Sequence, residues 1–263
     1  MSNERLSVVM VGAGNLATNL AVAMVAAGME VRQVWSRTEA SAARLAGLVG
    51  CPFTTEVSGL DDAAFYVVCV SDKAISSLLP SVVAGHEGAV FCHTAGSVPM
   101  GVFEGCGVRD YGVLYPMQTF TKGRTVDFSG IPLFVEHSSP RAAAVLSDVA
   151  RRLSRRVMEA DSVTRGLLHL ASVVACNFSN RLYALAGRLL AERGIPFDVL
   201  LPLIDETVAK VHAIPPALAQ TGPAARGDTN VIDKHRSLLS GDAELLEIYD
   251  VMTKSIMDGR DKL

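Results

Sequence analysis

Leu6-Ser7-Val8-Val9-Met10-Val11-Gly12-Ala13-Gly14-Asn15-Leu16-Ala17 is the stretch on which the fold turns. A short β-branched run, Leu6–Val11, leads straight into two glycines. It continues as the Ala- and Leu-rich segment Asn15–Gly28, which ends on Gly as helices often do. Gly12 lets the chain turn tightly, and Gly14 removes a side chain where a pyrophosphate must approach the backbone. Ala17 lets helix and strand pack closely. The free amides of Asn15, Leu16 and Ala17, with the helix dipole, favour an anion. A bare GxGxxA spacing is a weak signal; lodged between a strand and a helix it is a strong one, and it predicts a dinucleotide-binding turn.

Working outward, strand-like and helix-like segments alternate. Val31–Ser36 reads as a strand and Glu39–Val49 as a helix. Phe65–Val70, Ala89–His93, Tyr111–Tyr115 and Ile131–Glu136 are short apolar runs of the kind buried on both faces. Pro140–Leu153 is a helix with Pro in its first turn. This alternation predicts a doubly wound, mainly parallel α/β sheet. Near Arg156–Asp161 the pattern changes and strand signals nearly vanish. Ser162 to about Glu192 reads as one long helix, and Phe197–Ala213 as another. Pro215–Asp228 is loop-like; Thr229–Leu239 and Asp242–Asp258 close the chain as helices. The expected division is residues 1–158 as a nucleotide-binding α/β domain and 159–263 as an all-α substrate and dimerisation domain.

The end of the second strand discriminates between nucleotides. An NAD site usually has an acid about 20 residues after the glycines, bonded to the ribose 2′-hydroxyl. Here the sequence reads Trp35-Ser36-Arg37-Thr38, with Glu30 too early and Glu39 beyond the turn. Ser36 and Thr38 can donate hydrogen bonds and Arg37 can pair with a 2′-phosphate, so NADP is favoured. Val70 and Ser71, and Thr94 after His93, lie at expected carboxyl ends of strands, where open sheets bind ligands. They are candidate contacts on the nicotinamide-ribose side.

Composition narrows the function classes. Among 263 residues, 24 Lys plus Arg against 27 Asp plus Glu give a net charge of −3, which argues against a dedicated nucleic-acid binder. The 49% hydrophobic content and mean hydropathy of +0.31 imply extensive burial, but no apolar run is long enough for a membrane span. The N-terminus carries no secretory pattern. Five cysteines form no CxxC pair and no His stands at zinc-ligand spacing from one, so reduced thiols, a cytoplasmic setting and no metal are expected.

Several of these residues resemble a known group. The N-terminal turn, Ser36-Arg37-Thr38 and the long helix after the sheet resemble the 6-phosphogluconate-dehydrogenase-like superfamily, which includes ketopantoate and pyrroline-5-carboxylate reductases and β-hydroxyacid dehydrogenases. More narrowly, His93–Ser97, Tyr115–Phe120, the His169 to Asn177 helix and Thr221–Asp228 resemble a branch of Rossmann-like proteins with a C-terminal domain of unknown function. The resemblance implies NADP binding and a homodimer built through the helical domain. It leaves the substrate open. One feature departs from the pattern: many β-hydroxyacid dehydrogenases have a Lys four residues before an Asn on the first long helix, whereas Val173 precedes Asn177 here and no Lys occurs from Asp161 to Arg193.

Reducing a carbonyl builds negative charge on oxygen, which needs a positioned donor. His169 is the expected acid–base group, since imidazole titrates near neutrality. Asn177, about 12 Å along an ideal helix from His169, is expected to orient substrate, and His93 is the competing acid. His169, Ser172, Cys176 and Asn180 fall on one face at helical spacing. Gln118 and Thr119 are expected in a pocket wall. Arg226 is a candidate clamp for a carboxylate, with Asp228 placed to cap the next helix. The expected function is an NADPH-dependent reductase of a small carbonyl or imine, a 2-oxo acid first, with ketopantoate the first candidate by resemblance. Two alternatives stand beside it: a non-catalytic NADPH-binding sensor or assembly protein, and hydride transfer between NADP and a deazaflavin.

Overall fold

The computed structural model describes residues 5–260. The chain forms two compact units, one running to Ala175 and the other beginning at Cys176.

The first unit is built on an eight-stranded sheet of order β3-β2-β1-β4-β5-β6-β7-β8. β1 (Ser7–Val11), α1 (Asn15–Ala26), β2 (Glu30–Trp35), α2 (Glu39–Val49) and β3 (Phe53–Thr54) wind in one direction from the centre. β4 (Phe65–Val68), α3 (Asp72–Val83), β5 (Val90–His93) and β6 (Asp110–Pro116) wind in the other. All pairings among these strands are parallel. β7 (Leu133–His137) runs antiparallel to β6, and α4 (Pro140–Leu153) returns the chain to β8 (Val157–Glu159), parallel to β7. The order reverses between β1 and β4, which opens a crevice at their carboxyl ends.

The continuous apolar strands have a simple physical origin. Alternate side chains point to opposite faces, and both faces are covered. Val8, Met10, Phe65 and Val67 pack against α1, α2 and α4 through Leu20, Met24, Leu45 and Leu146. Val9, Val11, Tyr66, Val68 and Phe91 face α3 through Ile75 and Leu79.

Two strands were not foreseen, β3 and β8, with two and three residues each. Segments this short carry no periodicity, and pairing with a longer neighbour makes them strands. The unit also ends later than the change of composition near residue 160. The helix α5 (Ser162–Ser172) belongs with the sheet because Arg165 and His169 anchor it there. Asp161 caps it, accepting from the Thr164 amide at 2.7 Å.

The predicted long helix is helical throughout but not uniformly α. α5 passes through a π-helical segment, Val173–Phe178, before α6 (Ser179–Ala191). A π turn holds more residues than an α turn, so the single face expected for His169, Ser172, Cys176 and Asn180 is lost beyond Ser172.

The second unit is all-helical: α6, α7 (Leu201–Ala213), the short α8 (Pro216–Ala219) and α9 (Pro223–Arg226), α10 (Thr229–Leu238) and α11 (Ala243–Arg260). Among the described residues its buried side chains are Leu185, Ala224, Ile232, Leu239 and Thr253. Ion pairs tie the helices at the surface. Arg188 meets Asp242 at 2.7 Å, and Arg236 meets Asp250 at 2.7 Å.

Candidate active site

The turn after β1 is held by backbone bonds at both neighbours. Gly12 N–H donates to Trp35 O at 2.8 Å, and Cys69 N–H donates to Val11 O at 2.7 Å. Gly12 has φ +123°, and a Cβ there would lie 2.4 Å from the Cys69 carbonyl oxygen. Only glycine satisfies both constraints. Gly14 differs: a Cβ there would meet no protein atom within 4 Å. Protein packing therefore does not require that glycine, but a ligand drawn close to the backbone would.

Gly14 is the N-cap of α1, which has no side-chain cap and no acid in its first turn. The amides of Asn15, Leu16 and Ala17 therefore keep their attraction for an anion. Asn15 Nδ2 donates to Phe120 O at 3.2 Å, and Asn19 Oδ1 accepts from Val126 N at 2.9 Å. The loop after β6 is thus tied at both ends to α1.

At the end of β2, Ser36 is half-buried, while Arg37 and Thr38 are exposed. Thr38 is the N-cap of α2 yet its side chain makes no capping bond. Arg37 has no ion-pair partner among the described residues. A free guanidinium and free hydroxyl at a helix N-terminus are a donor set suited to a phosphate. With the open face of Gly14, these groups fit NADP.

At the neighbouring strand ends, Val70 is half-buried and Ser71 exposed. Thr94 is buried, and its hydroxyl donates to Cys69 Sγ at 3.4 Å. Burial pushes the Cys69 thiol up to about 12, so this partner is a neutral thiol. Gln118 and Thr119 are exposed, and Gln118 Oε1 turns back onto the Thr119 amide at 2.8 Å.

The two histidines have different surroundings. His93 is fully buried; its Nδ1 accepts from Ala95 N at 3.2 Å, and its ring stacks on Phe103. Burial above all, and then the charge of Arg165, lower its pKa to about 4, so it is a neutral core ring at physiological pH. His169 on α5 is half-buried, and its Nδ1 lies 3.4 Å from the Tyr115 hydroxyl at the end of β6. Beneath the pair is Arg165, 1% exposed. It binds Glu136 and donates to Val98 O at 2.6 Å, while the Ser162 hydroxyl contacts Glu136 at 2.9 and 3.0 Å.

Tyr115 and Gly96 were not among the sequence-derived candidates. Their signals were position, at or just beyond the carboxyl end of a strand, and membership of the stretches His93–Ser97 and Tyr115–Phe120 that carry the family resemblance. Asn177 and Arg226 lie in the second unit, and both are exposed. Asp228 caps α10 as expected, accepting from Val231 N at 3.3 Å, and Arg226 has no ion-pair partner among the described residues.

A parallel sheet with its order reversed beside a glycine turn, an uncapped helix and a basic residue after β2 defines an NADP-binding oxidoreductase domain. The comparisons agree. Residues 7–94 match a family model described as NADP oxidoreductase, coenzyme F420-dependent, and residues 131–256 match a domain of unknown function, DUF2520. BF3122 from Bacteroides fragilis, a provisionally assigned NADP oxidoreductase of known structure, is 50% identical, with 98% of this chain and 100% of that one covered and a TM-score of 0.93. The chain belongs to this family of NADP oxidoreductases.

More distant structures share the fold. An imine reductase from Myxococcus stipitatus in complex with NADP+ is 19% identical, covering 97% and 94% of the two chains, with a TM-score of 0.66. A reductive aminase from Aspergillus terreus in complex with NADPH and ethyl-5-oxohexanoate is 15% identical, covering 98% and 95%, with a TM-score of 0.72. No curated protein matches the sequence.

Proposed function

We propose that this oxidoreductase uses NADPH to reduce a small carbonyl or imine compound, a 2-oxo acid being the first class and ketopantoate the first compound to test. The observation that carries the proposal is the His169–Tyr115 pair, held at a strand carboxyl end of the same sheet that presents the glycine turn. The cofactor, when bound, supplies the hydride. Gly12, Gly14 and the α1 amides hold its pyrophosphate; Ser36, Arg37 and Thr38 hold the 2′-phosphate; Val70, Ser71 and the Thr94 backbone border the sugar nearer the reacting ring. His169 gives the proton that neutralises charge developing on the substrate heteroatom. His93, buried and neutral, is the poorer acid. Gln118 and Thr119 supply neutral donors.

Fold relatives that act on imines and bind keto esters support a C=N or C=O substrate. A homodimer formed through the apolar helical surface is part of the same reading. The test is NADPH oxidation across a panel of 2-oxo acids, including ketopantoate, and cyclic imines, with NADH in parallel. Turnover of one class that is lost in His169→Ala supports the proposal; turnover unaffected by that substitution refutes the assignment of the acid.

A second reading rests on the description of the N-terminal family match: hydride exchange between NADP and the deazaflavin F420. Reduction of F420 by NADPH, with no turnover in the carbonyl and imine panel, would establish it. Tight NADPH binding with neither activity would favour a sensor, the outcome to which the missing Lys points.

A further inference from the structure

His169 sits in a slot that its neighbours shape closely. A Cβ built on Gly96 would lie 2.8 Å from His169 Nδ1, 2.9 Å from Cγ and 3.0 Å from Cβ. No side chain at position 96 leaves room for this ring. On the same edge, the Tyr115 hydroxyl approaches Nδ1 at 3.4 Å, and the two rings meet edge-on at 71°. Tyr115 is itself fixed. It is buried on β6 opposite Phe134, and the two rings pack with their centroids 6.3 Å apart. The root and the Nδ1 edge of the imidazole are therefore pinned, and the opposite nitrogen is not. His169 Nε2 makes no hydrogen bond among the described residues. The only buried side-chain nitrogens there without a partner are His93 Nε2 and Arg165 Nε, so Nε2 of His169 is open to solvent.

We propose that Tyr115 is the positioning residue for His169: its hydroxyl holds Nδ1 so that Nε2 is the nitrogen that gives the proton to the substrate, and Gly96 is the position whose missing side chain admits the ring. This rests on the reductase reading above. With the hydride delivered to the substrate carbon by the bound cofactor, the π pair of C=O or C=N moves onto the heteroatom. The heteroatom takes the proton from Nε2 of the imidazolium, the neutral ring left behind keeps its Nδ1–H bonded to the Tyr115 oxygen, and solvent returns a proton to Nε2. Tyr115 neither gains nor loses a proton overall. Its burial raises the phenol pKa, opposed by the Ser172 hydroxyl and the Arg165 charge, so the hydroxyl remains intact as the bonding partner throughout the neutral range. Fixing one imidazole nitrogen to define the chemistry of the other is the usual way a protein sets a histidine tautomer.

The test combines spectroscopy with kinetics on the full-length protein. Imidazole 15N NMR of wild type, Tyr115→Phe and Gly96→Ala reads the His169 tautomer directly, with His169→Gln assigning the signal. One dominant tautomer is expected in wild type and a mixture in both variants, with NADPH affinity within twofold in all three. With a turned-over panel compound, kcat is expected to fall on the order of tenfold to a hundredfold in Tyr115→Phe.

A tautomer mixture already present in wild type overturns the proposal, as does an unchanged spectrum or an unchanged kcat in Tyr115→Phe. If wild type turns over no panel compound, it is the reductase reading that fails, and the spectra still decide whether Tyr115 holds Nδ1. Turnover by wild type with kcat unchanged in Tyr115→Phe leaves the reductase reading standing and removes this one.

Discussion

His93 illustrates how burial at a single residue decides between chemistry and structure. Its ring is enclosed by Phe103 and the strand ends, and its pKa is lowered to about 4, mainly by burial. In the unfolded chain an imidazole binds its proton near pH 6.5. Between those values the unfolded state holds more protons than the folded state, so stability rises with pH across that window and falls on acidification. The window of about 2.5 pH units corresponds to about 3 kcal/mol from this one group. Urea unfolding at pH 7, 5.5 and 4.5 should show that loss, and His93→Gln should flatten the slope. A slope unchanged in His93→Gln would mean the ring is not the titrating group. Arg37 is the opposite case, an exposed side chain whose value depends on a ligand. Arg37→Ala should leave stability within about 0.5 kcal/mol. It should weaken NADPH binding about tenfold, the scale of one charge-assisted hydrogen bond, and leave NADH almost unaffected. Equal losses for both nucleotides in a fluorescence titration would place the 2′-phosphate elsewhere.

Among elements, α5 depends most on polar anchoring. Its outward side chains are apolar and exposed, and its contact with the sheet comes through Arg165, Ser162 and His169, with Leu168 packed beside Tyr115 and Phe134. Arg165 is almost wholly buried, and Glu136 on β7 neutralises it. Removing one partner of such a pair leaves the other buried and uncompensated, at a cost of about 3 kcal/mol or more. Glu136→Ala should therefore lower the denaturant midpoint strongly, and because α5 carries His169 it should lower turnover even where the protein remains folded. A midpoint shift under about 1 kcal/mol would mean that water or a neighbouring group takes over the charge.

The same element shows how much of the molecule was readable in its sequence. The strand–glycine–helix unit was legible because every constraint in it is local: a β-branched run, a turn at Gly12 and an apolar helix face. The Asp161 side chain that caps α5 lies at the change of pattern near residue 160. The Tyr115–His169 contact was not legible, since it joins positions 54 apart and exists only once β6 and α5 are packed. The π segment was hidden for a related reason. Helical spacing assumes a constant turn, and nothing in Val173-Val174-Ala175-Cys176-Asn177-Phe178 announces a wider one.

At the scale of the whole molecule, the apolar content that promised extensive burial is only partly buried by a single chain. The first part of the long helix is apolar almost all round in sequence, with Leu167, Leu168, Leu170, Ala171, Val173, Val174, Ala175 and Phe178, and such a helix calls for cover. Yet Leu167 is 64% exposed and Leu170 57%, and Val174 and Phe178 continue the exposed run. The second unit exposes Leu203, Val208, Leu218 and Val251 as well. A monomer in water rarely keeps so many large apolar groups uncovered, and exposed apolar surface on this scale marks an interface. A second copy of the chain is the simplest cover, because a two-fold interface applies the same patch on both partners and closes without leaving a free face. Sedimentation of the wild-type protein at micromolar concentration should therefore give a dimer. Leu167→Glu with Leu170→Glu should shift it to monomer, since each apolar side chain removed from a buried interface withdraws about 1.5–3 kcal/mol of transfer energy and the introduced carboxylates oppose association. Because both positions are exposed in the isolated chain, the double variant should still fold and bind NADPH. A wild-type monomer, or a variant that remains dimeric, would mean that these leucines are covered by something other than a second copy or lie outside the interface.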